Sequence, residues 1–92
     1  MKKEIIFEDP GISKYDIFPI EKESARQFEL HGIQRVSPFE WLTFLAEEIG
    51  ELAEAITEFV YRDADKEQIS KEAISVATLA LKISKMAEGV RE

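Results

Sequence analysis

The sequence predicts an all-α protein: an antiparallel bundle of two long helices plus a shorter first helix, completed by oligomerisation. Two long segments repeat apolar side chains at helical spacing, and each is preceded by residues typical of helix N-termini. The chain has 92 residues, 45% of them hydrophobic, so we expect one folded domain. The absence of cysteine excludes a disulfide scaffold and thiolate metal sites, and it favours a reducing, intracellular setting.

Residues 1–19 are predicted to form an irregular N-terminal arm, and residues 20–92 the single all-α domain. The arm has an Asp-Pro-Gly turn signal at 9–11, and its apolar residues follow no regular period. A short strand in the arm stays open as an alternative. A first helix is expected from about 20 to 30, because the His-Gly sequence that ends at Gly32 is a C-terminal stop signal.

The two long helices are predicted from their end signals. The second helix is expected over about 38–61, since a capping box begins at Ser37 and a proline occupies the first helical position. The third helix is expected over about 66–87, because Asp65 can cap its start and Gly89 can end it.

The charge distribution restricts the partners that the protein can have. The formal net charge is −7, and residues 38–60 contain six acids without a lysine or arginine. We therefore expect no nucleic acid and no anionic membrane among its partners. No apolar run approaches the roughly 18 residues that a membrane span requires, and no signal peptide is visible. These features predict a cytoplasmic protein.

A helical wheel places acids inside the apolar faces of both long helices. Glu48 falls at about 340° within the apolar arc of the second helix, and Glu51 borders that arc near 280°. Glu72 falls at about 300°, among the apolar residues of the third helix, and Ser75 borders them. A carboxylate on an apolar surface costs several kcal/mol unless it is paired, so a divalent cation such as Mg²⁺ or Mn²⁺ is the expected partner. Three acids of the second helix face outward, namely Glu47, Glu54 and Glu58.

The third helix also predicts that the protein is an oligomer. It has two apolar strips, and two or three helices cannot cover both, so we expect a homodimer or a tetramer made of dimers. The mid-helix Gly50 is interpreted as permitting a close helix approach. The strips comprise Ile69, Val76, Leu79, Ala80, Ile83 and Ala87 on one side and Ile74, Ala77 and Leu81 on another.

The acidic pattern resembles the MazG-like, all-α nucleoside triphosphate pyrophosphohydrolases, a superfamily that also contains dimeric dUTPases and phosphoribosyl-ATP pyrophosphatases. Their signature is Glu-Glu-x-x-Glu, a connection of variable length, and then Glu-x-x-Asp. Here the first half lies at 47–51, and the second half begins at Glu72 after 20 intervening residues. The His-Gly-Ile-Gln sequence at 31–34 and the Ser-Pro-x-x-Trp-Leu sequence at 37–42 are similar to small bacterial or phage members. The resemblance covers about residues 21–88.

The resemblance implies an activity and a role for several residues. Members of the family cleave between the α- and β-phosphates of a nucleoside triphosphate and release a monophosphate and pyrophosphate. Mg²⁺, or alternatively Mn²⁺, would be held by Glu48, Glu51 and Glu72, and Glu47 would accept a proton from the attacking water. Trp41 would flank the base of the substrate. Contacts of Lys82, Lys85 and Arg62 with phosphates stay open as an alternative, and Lys82 and Lys85 are interpreted as solubilising residues.

Ser75 departs from the family pattern, because it stands where the signature has aspartate. We include Ser75 in the predicted metal site, although a hydroxyl is a weaker Mg²⁺ ligand than a carboxylate. The change implies one metal instead of two, a gap filled by substrate phosphate or by a neighbouring chain, or a loss of activity. The alternative function is therefore a non-catalytic oligomerisation or nucleotide-sensing module, and a plain structural bundle is a third.

Overall fold

The computed structural model describes residues 5–91, in which every regular element is helical. A short 3₁₀ helix, Lys14–Ile17, leads directly into α1, Phe18–His31. The two long helices are α2, Pro38–Arg62, and α3, Lys66–Glu88. The predicted all-α class, with two long helices and a shorter first one, is confirmed.

The N-terminal arm is more regular than predicted. Ser13 begins the 3₁₀ helix in a capping box: its backbone N–H donates to Asp16 Oδ2 at 2.8 Å, and its hydroxyl accepts from the Tyr15 N–H at 3.4 Å. Helix α1 begins two residues before the predicted start because Pro19 lies in its first turn, where a missing N–H costs no hydrogen bond. Residues 1–4 of the predicted arm lie outside the described residues.

The predicted helix ends on either side of the first connection are confirmed. Gly32 ends α1 at a φ of 64°, and its N–H donates to the Phe28 carbonyl at 2.8 Å. Ser37 caps α2 by accepting from the Glu40 N–H at 3.2 Å. The other half of the predicted capping box differs, because the Glu40 carboxylate accepts from the Ser37 hydroxyl at 3.4 Å.

A three-residue turn folds α2 and α3 into a hairpin. Asp63 adopts a left-handed conformation, with a φ of 54°, which reverses the chain immediately after α2. Asp65 then caps α3 by accepting from the Glu67 N–H at 2.9 Å. The first turn of α2 consequently lies beside the last turns of α3, where Trp41 and Met86 line one cavity. The predicted antiparallel arrangement is confirmed.

Helix α1 packs on α3 and stands apart from α2, so a groove runs between α1 and α2 with α3 as its floor. The buried core is small, and part of it is polar. Thr78 is 1% exposed and satisfies its hydroxyl by donating to the Ile74 carbonyl at 2.7 Å. The other buried residues within 5–91 are Ala55, Ile69, Ser75 and Leu79.

An apolar stripe on α2 remains uncovered by the chain. Leu42, Ile49 and Ile56 follow one another at seven-residue spacing and are 56%, 49% and 40% exposed. Gly50 is also exposed, and a Cβ atom built there would meet nothing within 4 Å. The prediction that Gly50 permits a close helix approach is therefore wrong within the chain, because α2 turns this face away from α1 and α3. Oligomerisation stays a prediction.

The helices can also be compared with membrane-spanning segments. Within residues 5–91, none combines the length and the apolar character that crossing a bilayer requires.

Candidate functional site

Three glutamates meet where α2 faces α3, and we call them the glutamate triad: Glu48, Glu51 and Glu72. One carboxylate oxygen of each lies within 4.8 Å of the corresponding oxygens of the other two. Glu48 and Glu51 come from successive turns of α2, so their side chains share one helical face. Glu48 and Glu72 are half-buried, whereas Glu51 is exposed. The structure thus brings together the three carboxylates that the sequence predicted as metal ligands.

Within residues 5–91, no basic side chain forms an ion pair with a member of the glutamate triad. Partial burial raises the pKa of Glu48, and the nearby charges of Glu51 and Glu72 raise it further. Partial burial also raises the pKa of Glu72, and the neighbouring carboxylate of Glu51 raises it further. Gln68 Nε2 donates to Glu72 Oε1 at 2.7 Å. The triad is therefore a local excess of negative charge.

A second carboxylate, Glu23 of α1, has the opposite environment. Arg26 Nε and Nη2 donate to its two oxygens at 2.7 Å each, and Gln27 Nε2 donates at 2.9 Å. Ser75 Oγ lies 3.5 Å from Glu23 Oε2. The hydrogen bond from Arg26 is the main reason why the pKa of Glu23 is lowered. We call these four residues the Glu23 cluster.

Ser75 joins α3 to the Glu23 cluster. It is 8% exposed, and its hydroxyl lies 3.3 Å from the Lys71 carbonyl and 3.5 Å from Glu23 Oε2. The position where the family has aspartate is thus a buried hydroxyl with a carboxylate from α1 beside it. Sequence reasoning missed Glu23, although its spacing from Arg26 is typical of a helical ion pair. The assignment of Ser75 to a metal site stays a prediction.

The groove between α1 and α2 contains two adjoining cavities. The first, which we call the glutamate cavity, is lined by Glu47, Glu48, Arg26, Gln27 and Gln34 and has a volume of about 270 Å³. Glu47 is exposed and opens onto the same space as Glu48. Solvent therefore reaches the Glu47 carboxylate. Its role as a proton acceptor stays a prediction.

The second cavity lies towards the end of α3. We call it the lysine cavity; it is lined by Gln27, Phe28, Trp41, Lys82 and Lys85 and has a volume of about 290 Å³. Lys82 Nζ donates to Gln27 Oε1 at 2.6 Å and lies 4.8 Å from the centroid of the Phe28 ring. Partial burial lowers the pKa of Lys82. The interpretation of Lys82 as a solubilising residue is therefore wrong, because its ammonium is held inside the groove, while Lys85 is exposed.

Trp41 forms the wall of the lysine cavity that α2 contributes. Its ring is half-buried and packs edge-to-face on Phe44, with 5.5 Å between the ring centroids and an interplanar angle of 84°. The ring is therefore held in place by its own helix. The predicted contact of Trp41 with a substrate base stays a prediction.

Comparisons of the chain with protein-family models, with curated proteins and with solved structures give no match. The MazG-like resemblance consequently rests on the motifs in the sequence.

Proposed function

We propose that the protein is a metal-dependent hydrolase that cleaves phosphoric anhydrides. The observation that carries this proposal is the convergence of three carboxylates from two helices, with no ion pair to them in the described part of the chain. Opposite ligands of Mg²⁺ are about 4.2 Å apart, since each lies about 2.1 Å from the ion. The triad oxygens, all within 4.8 Å of one another, fit such an ion after small side-chain movements.

Within that class, we propose that the protein is a MazG-like nucleoside triphosphate pyrophosphohydrolase. The substrate would be cleaved between its α- and β-phosphates to give a nucleoside monophosphate and pyrophosphate. Three features support this: the Glu-Glu-x-x-Glu sequence at 47–51, the meeting of Glu48 and Glu51 with Glu72, and the cavity that Glu47 and Glu48 line. An acidic protein can bind a triphosphate where a divalent cation reverses the local field.

In the proposed reaction, the glutamate triad, Glu47 and Arg26 have different roles. Glu48, Glu51 and Glu72 would hold Mg²⁺ or Mn²⁺, which, when bound, neutralises phosphate oxygens and lowers the pKa of a water ligand. Glu47 would accept the proton of the attacking water, because it opens onto the same cavity and is not needed as a ligand. Arg26 lines the opposite wall of that cavity and would meet a phosphate with the N–H donors that Glu23 leaves free.

The Ser75 departure favours a site for one metal ion. Glu23 is the carboxylate nearest to the Ser75 hydroxyl, but Arg26 and Gln27 already occupy its oxygens. Its charge is therefore balanced within the chain and is not available to a second cation. The triad, by contrast, has three carboxylates whose nearest neighbours are mainly one another.

The test is pyrophosphate release from a panel of nucleoside triphosphates, with and without Mg²⁺. We expect Mg²⁺-dependent release by the unaltered protein and none by Glu48→Gln or Glu72→Gln, while circular dichroism shows an unchanged helical fold. Glu29→Gln is a matched control, because Glu29 is exposed on α1 and lines neither cavity. Normal turnover by both triad variants would show that the site is wrong.

The alternative function, a non-catalytic module, is favoured if the assay shows no pyrophosphate release while a separate binding measurement shows that nucleotides still bind. In that case Ser75→Asp should raise activity if the missing carboxylate is the cause. The absence of any Mg²⁺-dependent thermal shift would favour the third alternative, a plain structural bundle.

We further propose that the protein forms a homodimer, or a tetramer made of dimers, through the exposed stripe of α2. The support is the regular spacing of Leu42, Ile49 and Ile56, which are 40% to 56% exposed in the isolated chain. Light scattering should give at least twice the chain mass of 10.5 kDa, and Ile49→Lys should reduce the oligomer to monomer. A well-folded monomer at micromolar concentration would contradict the proposal.

A further inference from the structure

Lys82 is a cation held inside the groove without a carboxylate partner. No acidic oxygen of residues 5–91 lies within ion-pair distance of its Nζ. The ammonium has three N–H donors, of which Gln27 Oε1 occupies one, and one side of it lies over the Phe28 ring. At least one donor therefore remains for a ligand in the lysine cavity.

The other walls of the lysine cavity suit a flat ring. Phe28 comes from α1 and Trp41 from α2, so aromatic side chains from the two sides of the groove line the same space. The exposed surface of this cavity is mainly apolar, which favours a ring system over a bare anion. Both polar atoms of the Gln27 amide already have a partner in the chain, because its oxygen accepts from Lys82 and its nitrogen donates to Glu23.

The lysine cavity continues into the glutamate cavity. Gln27 and Gln34 line both cavities, so the two cavities adjoin and these side chains lie between them. Trp41 and Glu48 are seven residues apart on α2, which places them on one side of the helix about 10.5 Å apart along its axis. A ligand that reaches from one cavity to the other must be elongated, with an aromatic end near Lys82 and a cation-binding end near Glu48.

We propose that the lysine cavity binds the base of the nucleotide and selects bases with a ring carbonyl where Lys82 donates. This inference rests on the function proposed above, which puts the phosphates at the triad. The preferred bases carry oxygen at position 4 of a pyrimidine or position 6 of a purine, as in uracil, thymine, guanine and hypoxanthine. Cytosine and adenine present an amino group there.

The selectivity follows from the donor-only chemistry of the ammonium group. Lys82 Nζ has no lone pair, so it can donate to a carbonyl oxygen but cannot accept from an amino group. A base with an amino group at that position would face a partly buried positive charge with its own positively polarised hydrogens. We expect about a 10-fold preference for the carbonyl base, since a hydrogen bond to a charged group is involved in a cavity that is open to solvent.

The direct test uses Trp41, which is the only tryptophan in the chain, as a fluorescent probe inside the cavity. The metal-free protein is titrated with inosine and adenosine, which differ at position 6, and with uridine and cytidine, which differ at position 4. We expect Trp41 fluorescence to report tighter binding of inosine and uridine. Equal binding within each pair would overturn the proposal. A response to inorganic triphosphate that exceeds the response to all nucleosides would also overturn it, because the cavity would then be a phosphate site.

Variants of Lys82 connect the preference to its ammonium group. Lys82→Met keeps the length of the side chain and should abolish the difference within each pair, whereas Lys82→Arg should retain it. Lys66→Met is the control, because Lys66 is an exposed lysine at the start of α3 that lines neither cavity. A preference that persists in a folded Lys82→Met protein would assign the selectivity to another residue and overturn the proposal.

Kinetics separates a failure of this inference from a failure of the proposed function. With a hydrolysable panel, Lys82→Met should raise KM for the inosine and uridine triphosphates about 10-fold while leaving kcat unchanged. Hydrolysis of all bases with equal KM would overturn the base preference alone. Selective fluorescence binding in a protein that hydrolyses nothing would overturn the proposed function and support the base site.

Discussion

The glutamate triad and the Glu23 cluster hold carboxylates close enough for the charge of Glu23 to act on Glu48, yet their electrostatic environments are opposite. Arg26, Gln27 and Ser75 surround Glu23 with donors, and the pKa of Glu23 is lowered. Glu48 and Glu72 face mainly other carboxylates, and their pKa values are raised. Partial burial acts to raise the pKa of all three residues and is the main cause at Glu48 and Glu72, whereas at Glu23 the hydrogen bond from Arg26 outweighs it.

This contrast distinguishes a structural carboxylate from one that is available to a ligand. The oxygens of Glu23 are occupied by donors of its own chain, so its charge helps to fix α1 on α3. The triad has one donor to Glu72, from Gln68, and an uncompensated charge that an external cation can balance.

The largest effect is expected on activity. Glu48→Gln should lower the rate of pyrophosphate release by at least about 100-fold, because it removes a charged ligand at the reacting phosphates. Glu23→Gln should lower the rate by less than about 10-fold, since Glu23 contacts its own chain instead of the cation. Steady-state assays of the two variants in parallel measure the difference, and equal losses would mean that Glu23 belongs to the same site.

The second effect concerns Mg²⁺ binding. Mg²⁺ at 100 times its dissociation constant should raise the free energy of unfolding by about 2.7 kcal/mol, because it binds only the folded triad. The shift should vanish in Glu72→Gln and persist in Glu23→Gln. Thermal denaturation with and without Mg²⁺ measures it, and a shift retained in Glu72→Gln would show that the cation binds elsewhere.

A smaller effect is expected on stability without metal. Glu23→Gln should lower the free energy of unfolding by about 1 kcal/mol, because Arg26 and Gln27 lose a charged acceptor while solvent screens the exposed Arg26. Urea denaturation at neutral pH measures the change, with Glu29→Gln as the unaffected control. An unchanged midpoint would mean that the Glu23 cluster contributes nothing to the packing of α1.

The smallest effect is a pH dependence of opposite sign in the two regions. Because the pKa of Glu48 is raised, the folded state binds its proton more tightly, and stability falls as pH rises from 4.5 through that raised pKa. The lowered pKa of Glu23 gives a contribution that is present above 4.5 and is lost as pH falls through the lowered pKa. In metal-free buffer at neutral pH, Glu48→Gln should therefore stabilise the protein by about 0.5 kcal/mol, reduced by screening. Urea midpoints at acid and neutral pH check both signs.

The sequence predicts most of the fold because the decisive interactions are local. The helix ends at Gly32, Ser37 and Asp65 depend on residues within one turn, so short motifs identify them. The convergence of Glu48 with Glu72 was also predictable, since a wheel gives the inward face of each helix and a short turn requires the helices to be antiparallel.

The missed features depend on how distant segments pack. The contact between Glu23 and Ser75 joins residues 52 positions apart, and the one between Lys82 and Gln27 joins residues 55 apart. No periodicity specifies where α1 lies on α3, so neither the Glu23 cluster nor the lysine cavity could be derived from a wheel. The exposure of the α2 stripe could not be predicted for the same reason, because an apolar arc does not specify which part of it a neighbouring helix covers.

The turn at Asp63–Asp65 has a consequence for the order in which the molecule folds. The helices that carry the glutamate triad form one continuous hairpin, so little chain entropy is lost in closing it, whereas α1 must dock from farther along the chain. We therefore expect native-state hydrogen exchange to show α1 opening as a separate unit, at a lower free energy than the hairpin. On this view the acids proposed to bind the cation come together before the groove proposed to receive the base has acquired its second wall.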